Sequence, residues 1–222
     1  MPAASVFTPE HIARLLAPYL AATTPPEPLF GQLATYLELL LKWNARTNLT
    51  AIREPEEIVR RHFGESLFAG QHLGSNLGGN LGGNLGDSAT LLDFGSGAGF
   101  PGLPIQLLRP ELQVTLAESQ NKKSTFLREV VRTLGLKTEV WAGRVEAMPA
   151  ARMFDVVALR AVDNMEAALA AASVRAARRL AILASARQSP PDLPGFSLES
   201  EVVVPGAADL RLLLMTPSKS PG

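Results

Sequence analysis

The 222-residue chain predicts an α/β fold: a mostly parallel sheet with helices on both sides, a helical region before it and an antiparallel closing hairpin. Three observations predict it. From residue 90 onward, candidate strands and helical stretches alternate. A glycine-rich turn, Gly95-Ser-Gly97-Ala-Gly99, follows the first strand directly. The last three candidate strands have no long helix between the final two.

The N-terminal third reads helical. Leu29, Leu33, Leu37 and Leu40/Leu41 recur at helical spacing, with Phe30 and Tyr36 beside the stripe, and the helix should end near Trp43-Asn44. A second helix should run from Pro55 through Phe68. Pro55 suits a first turn, and Glu56 and Glu57 favour the positive end of the helix. Residues 74 to 86, GSNLGGNLGGNLG, repeat at a period of four, far too short for a solenoid, and read as a flexible linker. The expected organisation is a helical region over 1–73, a Gly/Asn-rich loop over 74–88 and a catalytic core over 89–218.

In that core the expected strands are Thr90–Phe94, Gln113–Ala117, Thr138–Trp141 and Phe154–Leu159, then Leu180–Ser185, Leu198–Val204 and Leu210–Thr216. Helices fall at Pro101–Leu108 and Lys122–Leu134, the latter with Phe126, Leu127, Val130, Val131 and Leu134 on one face.

Composition excludes several classes. Hydrophobic residues make up 46% and charged residues 19%, as in an ordinary globular protein. No apolar run reaches the length of a membrane span, and Glu10, His11 and Arg14 interrupt any leader-like stretch, so neither a span nor a signal peptide is expected. The absence of cysteine removes disulfides and thiolate chemistry and suits a reducing cytoplasm. His11, His62 and His72 have no metal-binding spacing, and no metal is expected.

Net charge is zero, from 21 basic and 21 acidic residues, but the charges are uneven. Five Lys/Arg face three glutamates between Lys42 and Arg61, and six face two from Lys122 to Arg144. Arg175, Arg178, Arg179 and Arg187 have no acidic residue among them. Such patches either meet phosphate or form solvated helix faces.

The glycine turn carries the chemistry. No Lys-Ser/Thr pair follows Gly102, which excludes a Walker phosphate loop. Gly97-Ala-Gly99-Phe-Pro-Gly102 formally satisfies the dinucleotide fingerprint, so a nicotinamide-dependent oxidoreductase is the competing class. Against it, Gly95 already occupies the turn, and Pro101 and Pro104 remove amide donors where a pyrophosphate needs them. Glycines right after Asp93 better suit a ligand lying on bare backbone without phosphates, such as S-adenosylmethionine. Glu118, 23 positions after Gly95 at the end of the second strand, is placed to accept ribose hydroxyls.

DFGSGAGFPGLPI, AESQNKKSTFLREV, GRVEAMP and FDVVALRAV, together with the earlier WNARTNLTAIREPEEIVRRHFGESL, resemble the bacterial 16S ribosomal RNA methyltransferase G family, once called glucose-inhibited division protein B. The matches stand in order across roughly residues 36 to 162. The resemblance implies the seven-stranded, Rossmann-like class I methyltransferase fold. It also implies S-adenosylmethionine-dependent methylation of guanine N7 in the 530 loop of 16S RNA. It places the donor against Asp93, Gly95, Ser96, Gly97, Gly99, Phe100, Glu118, Val145, Glu146 and Arg160, with Arg160 positioning at the pocket rim. Guanine N7 carries no proton, so no general base is expected.

Arg46, Arg60, Arg61, Lys122 and Lys123 are the candidates for RNA phosphate contacts. The expected partner is 16S RNA or the small ribosomal subunit, met by a cytoplasmic monomer with no membrane partner. Two departures stand out: the family's lysine after the fifth strand is Ser185 here, and its arginine before the last strand falls near Asp209. A non-catalytic RNA-binding relative is the alternative those losses leave open.

Overall fold

The computed structural model describes residues 7–21, 23–73, 89–160 and 164–218, so the Asn-Leu-Gly-Gly repeat lies outside the described residues. The N-terminal elements are α1 (Pro9–Leu16), α2 (Leu29–Thr47), α3 (Pro55–Glu57), a π-helical segment (Ile58–Gly64) and α4 (Glu65–His72). The core follows as β1 (Thr90–Phe94), α5 (Gly102–Leu108), β2 (Gln113–Glu118), α6 (Asn121–Thr133) and β3 (Glu139–Ala142). It ends with β4 (Phe154–Arg160), α7 (Met165–Ser173), β5 (Ala176–Ser185), β6 (Phe196–Val203) and β7 (Leu210–Pro217).

The apolar stripe of α2 is the buried one: Leu29, Leu33, Leu37 and Leu40 are all buried, with Tyr36 beside them. Asn48 in the left-handed conformation (φ 48°) ends that helix. α1 was not foreseen. Its eight residues rely on Thr8, whose hydroxyl accepts from His11 N, and on Pro9 in the first turn. The expected second helix is found as three consecutive helical segments, with π winding over Ile58–Gly64. Gly64 sits against Tyr19, whose ring lies 2.6 Å from where a Cβ would be.

Seven strands form one sheet in the order β3-β2-β1-β4-β5-β7-β6, parallel except that β7 runs antiparallel to both β5 and β6. The closing hairpin is therefore present, with its second strand inserted against β5. Alternate residues feed two apolar layers. Leu91, Leu116, Val156, Ala158, Ala181 and Leu212 join the layer that also holds the N-terminal helices. Leu92, Ala117, Val157, Leu159, Leu180 and Leu213 face the layer under α7. α7, unmarked in the sequence reading, is alanine-rich and capped by Asn164, which accepts from Ala167 N. Order reverses between β1 and β4, so a crevice opens beyond the carboxyl ends of these strands.

Three of the four C-terminal arginines correct the phosphate-patch reading. Arg178 and Arg179 pair with Asp155 and Glu199, and Arg179 also donates to the Leu73 carbonyl. Arg175 is buried and donates to the carbonyls of Val145, Met148, Pro149, Ala150 and Arg152. One guanidinium thus ties together five carbonyls of the irregular segment between β3 and β4. Arg175→Met should therefore lower stability by about 3 kcal/mol, because buried carbonyls lose their donor. The measurement is the urea midpoint at unchanged slope; a midpoint equal to the wild type would show that water replaces the guanidinium.

Candidate active site

The turn after β1 is built from its residues in two halves. Gly95, Gly97 and Gly99 all adopt positive φ, at 71°, 58° and 97°. A Cβ on Gly99 would lie 2.4 Å from Leu103, and one on Gly102 2.5 Å from Leu116 and 2.6 Å from Asp93. Those two glycines are required by the protein's own packing. Gly95 meets nothing within 4 Å, and Gly97 only the Gly95 carbonyl at 3.9 Å. Their positive φ already favours glycine, and their Cβ positions look into open space, so a ligand can lie directly on this backbone.

Acidic side chains fix the turn from beneath. Asp93, fully buried, accepts from Gly102 N at 3.0 Å through Oδ2, while its Oδ1 has no partner. Burial pushes the Asp93 carboxyl up to about 7. Ser96 donates its amide to the Ala117 carbonyl at 2.9 Å, tying the turn to β2. Glu118 accepts from Gly97 N at 2.9 Å and from Gln120 N at 2.7 Å, one bond per carboxylate oxygen. Each oxygen keeps a second lone pair for a ligand.

A cleft of about 650 Å³ opens over the turn. Of the residues expected at the donor site, Gly95, Ser96, Gly97, Phe100, Glu118, Val145, Glu146 and Arg160 line it. Asp93 and Gly99 do not, and act on the turn from below and behind. Among the RNA candidates only Lys123 lines the cleft. Arg46, Arg60 and Lys122 are exposed, and Arg60 is paired with Glu56 at 2.7 Å. Arg61 is exposed and lies 3.5 Å from Glu57 and 3.7 Å from Glu65. Lys122 and Lys123 occupy the first turn of α6, which holds no acidic residue. Cations there oppose the helix dipole, so local stability is not what places them.

Arg160 lines the cleft as a paired, largely buried cation. Its side chain is only 11% exposed, and Nη2 donates to Glu65 Oε2 at 2.5 Å and to the Arg61 carbonyl at 3.0 Å. Glu65 is itself buried, and burial raises its carboxyl above the usual range. The guanidinium lies 5.9 Å from the Phe100 ring centroid. Phe100 in turn stacks on Tyr36 and on His62, with centroids 5.6 Å and 4.7 Å away. Tyr36 donates its hydroxyl to the Ala98 carbonyl. The turn is thus clamped by α2, the π-helical segment and β4 together.

Sequence reasoning missed Thr50, His62, Glu65 and Asn164. His62 was weighed only as a metal ligand; the structure stacks it on Phe100 and bonds its Nε2 to Thr50 Oγ1 at 2.7 Å. Burial, with Arg160 and Arg61 nearby, depresses its imidazole to about 3. The available signal was the NLT and RRHFGES segments, whose contact with the glycine turn is long-range. The two departures also come together: Ser185 pairs with Leu210 across β5 and β7, and Ala186 N donates to the Asp209 carbonyl at 2.8 Å.

The family model for rRNA small subunit methyltransferase G matches residues 30–184. Ribosomal RNA small subunit methyltransferase G of Nitrosomonas europaea is 41% identical over 139 residues, covering 62% of this chain and 59% of that protein. The protein of the same name from Xanthomonas campestris pv. campestris is 37% identical over 163 residues, covering 73% and 71%. The matched part thus spans less than two thirds of the first of these relatives. Among solved structures, a mutant of MtNAS in complex with S-adenosylmethionine superposes with a TM-score of 0.58 at 16% identity, covering 96% of this chain and 85% of that one. TrmN from Thermus thermophilus gives 0.52 at 17%, covering 72% and 53%. At such identities the likeness is one of fold. No helix among the described residues is long and apolar enough to cross a membrane.

Asp93 and His62 should give opposite pH dependences. Folded Asp93 keeps its proton up to about 7, whereas an unfolded one releases it near 3.8, so its contribution is present below that value and lost as pH rises to 7. Unfolded His62 takes a proton below 6.5 and the folded residue only near 3, so its contribution is present above 6.5 and lost as pH falls. Each slope is at most about 1.4 kcal/mol per pH unit, and the two cancel across most of the acidic range. Relative to the wild type, His62→Gln should gain stability as pH falls from 6.5 to 4, and Asp93→Asn should lose it. Urea midpoints across that range check this; parallel profiles for the two variants would sink it.

Proposed function

The chain belongs to the rRNA small subunit methyltransferase G family, and from that membership we propose that it transfers a methyl group from S-adenosylmethionine to guanine N7 in the 530 loop of 16S RNA. The observation that carries the reading is the pair of bare glycines, Gly95 and Gly97, opposite a carboxylate with two free lone pairs. That arrangement suits a ligand with an uncharged backbone-hugging end and a ribose. It offers no cradle of amides for a pyrophosphate, which disfavours hydride transfer with a nicotinamide cofactor. In this reading the acceptor is the RNA or the small subunit, met by a cytoplasmic monomer.

When bound, the donor supplies an electrophilic methyl on a sulfonium. The S–CH₃ bond breaks as the N7–CH₃ bond forms, and the positive charge passes from sulfur to the purine. N7 attacks with a lone pair and loses no proton, so the chain needs no general base. What its residues do is hold and exclude. Glu118 accepts the ribose hydroxyls, Gly95 and Gly97 admit the donor to the backbone, and Phe100 with His62 walls off water on the acceptor side. Lys123 at the cleft, with Lys122, Arg46, Arg60 and Arg61 outside it, meets RNA phosphates.

Labelled methyl incorporation into small subunits or 16S RNA, with the modified base mapped, tests the reading; donor binding without incorporation would instead favour a non-catalytic relative. Gly97→Val should abolish donor binding while leaving cooperative unfolding. Glu118→Ala should weaken donor affinity by about 1.5 to 3 kcal/mol, with turnover at saturating donor falling less. Arg160→Ala would strand the buried Glu65, so its loss of stability would mask any kinetic effect. Arg160→Lys keeps the charge, and should lower turnover at saturating donor while donor affinity holds. Identical kinetic profiles for Glu118→Ala and Arg160→Lys would show the site divided wrongly.

A further inference from the structure

The cleft contains a hydroxyl whose polarity the fold sets. Thr50 lines the cleft, and its Oγ1 has two fixed neighbours: His62 Nε2 at 2.7 Å and the Ile52 amide at 3.2 Å. The amide can only donate. The direction of the His62 bond follows from the other ring nitrogen, since Nδ1 is buried without a partner. A proton on Nδ1 would be a stranded buried donor, whereas a bare Nδ1 is the less costly orphan. The proton therefore sits on Nε2, and His62 donates to Thr50. The depressed basicity of the ring fits a single ring proton.

Both lone pairs of Oγ1 are then filled, one by Ile52 N–H and one by His62 Nε2–H. The hydroxyl proton has no acceptor among the described residues and is left for whatever enters the cleft. Thr50 is thus a donor-only group in use, although a free threonine hydroxyl can play either part. Its backbone is fixed too: Thr50 N donates to Asn44 Oδ1 at 3.0 Å, and Asn44 is buried in α2.

Resting on the methyltransferase reading above, we propose that Thr50 reads the 6-position of the acceptor purine. Its hydroxyl, held as a donor by His62, bonds the O6 carbonyl of guanine and opposes the amino group that adenine carries there. On the major-groove edge, O6 is the neighbour of N7 in guanine, and an amino group is its neighbour in adenine. N7 alone cannot separate the two bases, because it is an acceptor in both. A site with a donor already committed beside N7 can. Thr50 is a specificity-determining residue in this account, and His62 a positioning residue acting through it.

The test uses the full chain and small ribosomal subunits from cells lacking the gene, alongside subunits reconstituted with 2-aminopurine, which keeps N7 and lacks O6, at the target position. Affinity for S-adenosylmethionine is measured separately. Wild type should lose roughly 10- to 100-fold in kcat/KM on 2-aminopurine. Thr50→Val should lose a similar factor on guanine with donor affinity unchanged, lose little more on 2-aminopurine, and be rescued by Thr50→Ser. Equal wild-type rates on the two bases would overturn the proposal without any variant. So would full activity of Thr50→Val on guanine, or equal losses by Thr50→Val on both bases. Loss of donor affinity in Thr50→Val would place Thr50 in the donor site or the fold and also overturn it. A wild-type chain that methylates neither kind of subunit would instead defeat the methyltransferase reading itself.

Discussion

A charge pair buried between α4 and the end of β4 makes one cleft out of two distant stretches of sequence. Glu65 and Arg160 stand 95 positions apart, and their bond is 2.5 Å long. Removing two charges from water is expensive, and their attraction repays it only where geometry and further hydrogen bonds are good. Here the guanidinium also takes the Arg61 carbonyl, so the π-helical segment is pulled onto the sheet with α4. That segment carries His62 and Phe63, which pack against Phe100 from the glycine turn. The pair thus adds a polar tie to the aromatic packing of Tyr36, His62 and Phe63 on Phe100, and together they set the wall formed by Thr50 and His62 against the glycine turn.

The same arrangement explains why the turn has four glycines with different duties. Gly99 and Gly102 are pressed against Leu103, Tyr36, Leu116 and Asp93, so the helix after β1 can start close to the sheet. Gly95 and Gly97 have no such neighbours. A motif reading counts the glycines alike, and their division appears only when a side chain is imagined at each. Asp93 belongs to the packing half. Its carboxyl is buried, bonded to Gly102 N, and supports the turn from below.

The sheet was legible in the sequence because each strand announces itself locally: Thr90–Phe94 is found with the expected bounds, and the other six differ by a few residues at their ends. The antiparallel closure followed from the missing helix between the last two strands, and the seven-stranded fold from the family resemblance, whereas the strand order came only with the structure. Less was legible where stability comes from one capping bond or from distance in sequence. α1 hangs on Thr8, α7 on Asn164, and the β3–β4 segment on Arg175, none of which alters hydrophobic periodicity. The part of the cleft lining that sits at strand ends and on the glycine turn was readable in the sequence, whereas Thr50 and His62 reach the cleft only through the fold.

The two departures from the family's pattern sit side by side in the fold. Ser185 and Leu210 are paired across β5 and β7, and Asp209 precedes that pair, with its carbonyl bonded to Ala186 N. A lysine and an arginine at these places would stand side by side at the same end of the sheet as Arg160. In this chain the spot instead carries Asp209, whose charge helps to raise the carboxyl of Glu65. Arg160 therefore balances Glu65 against an added negative charge, with Arg61 as its nearest help at 3.7 Å. Arg187, two residues beyond Ser185, is exposed, so the positive charge at this corner of the chain stands in the turn after β5 and apart from the buried pair.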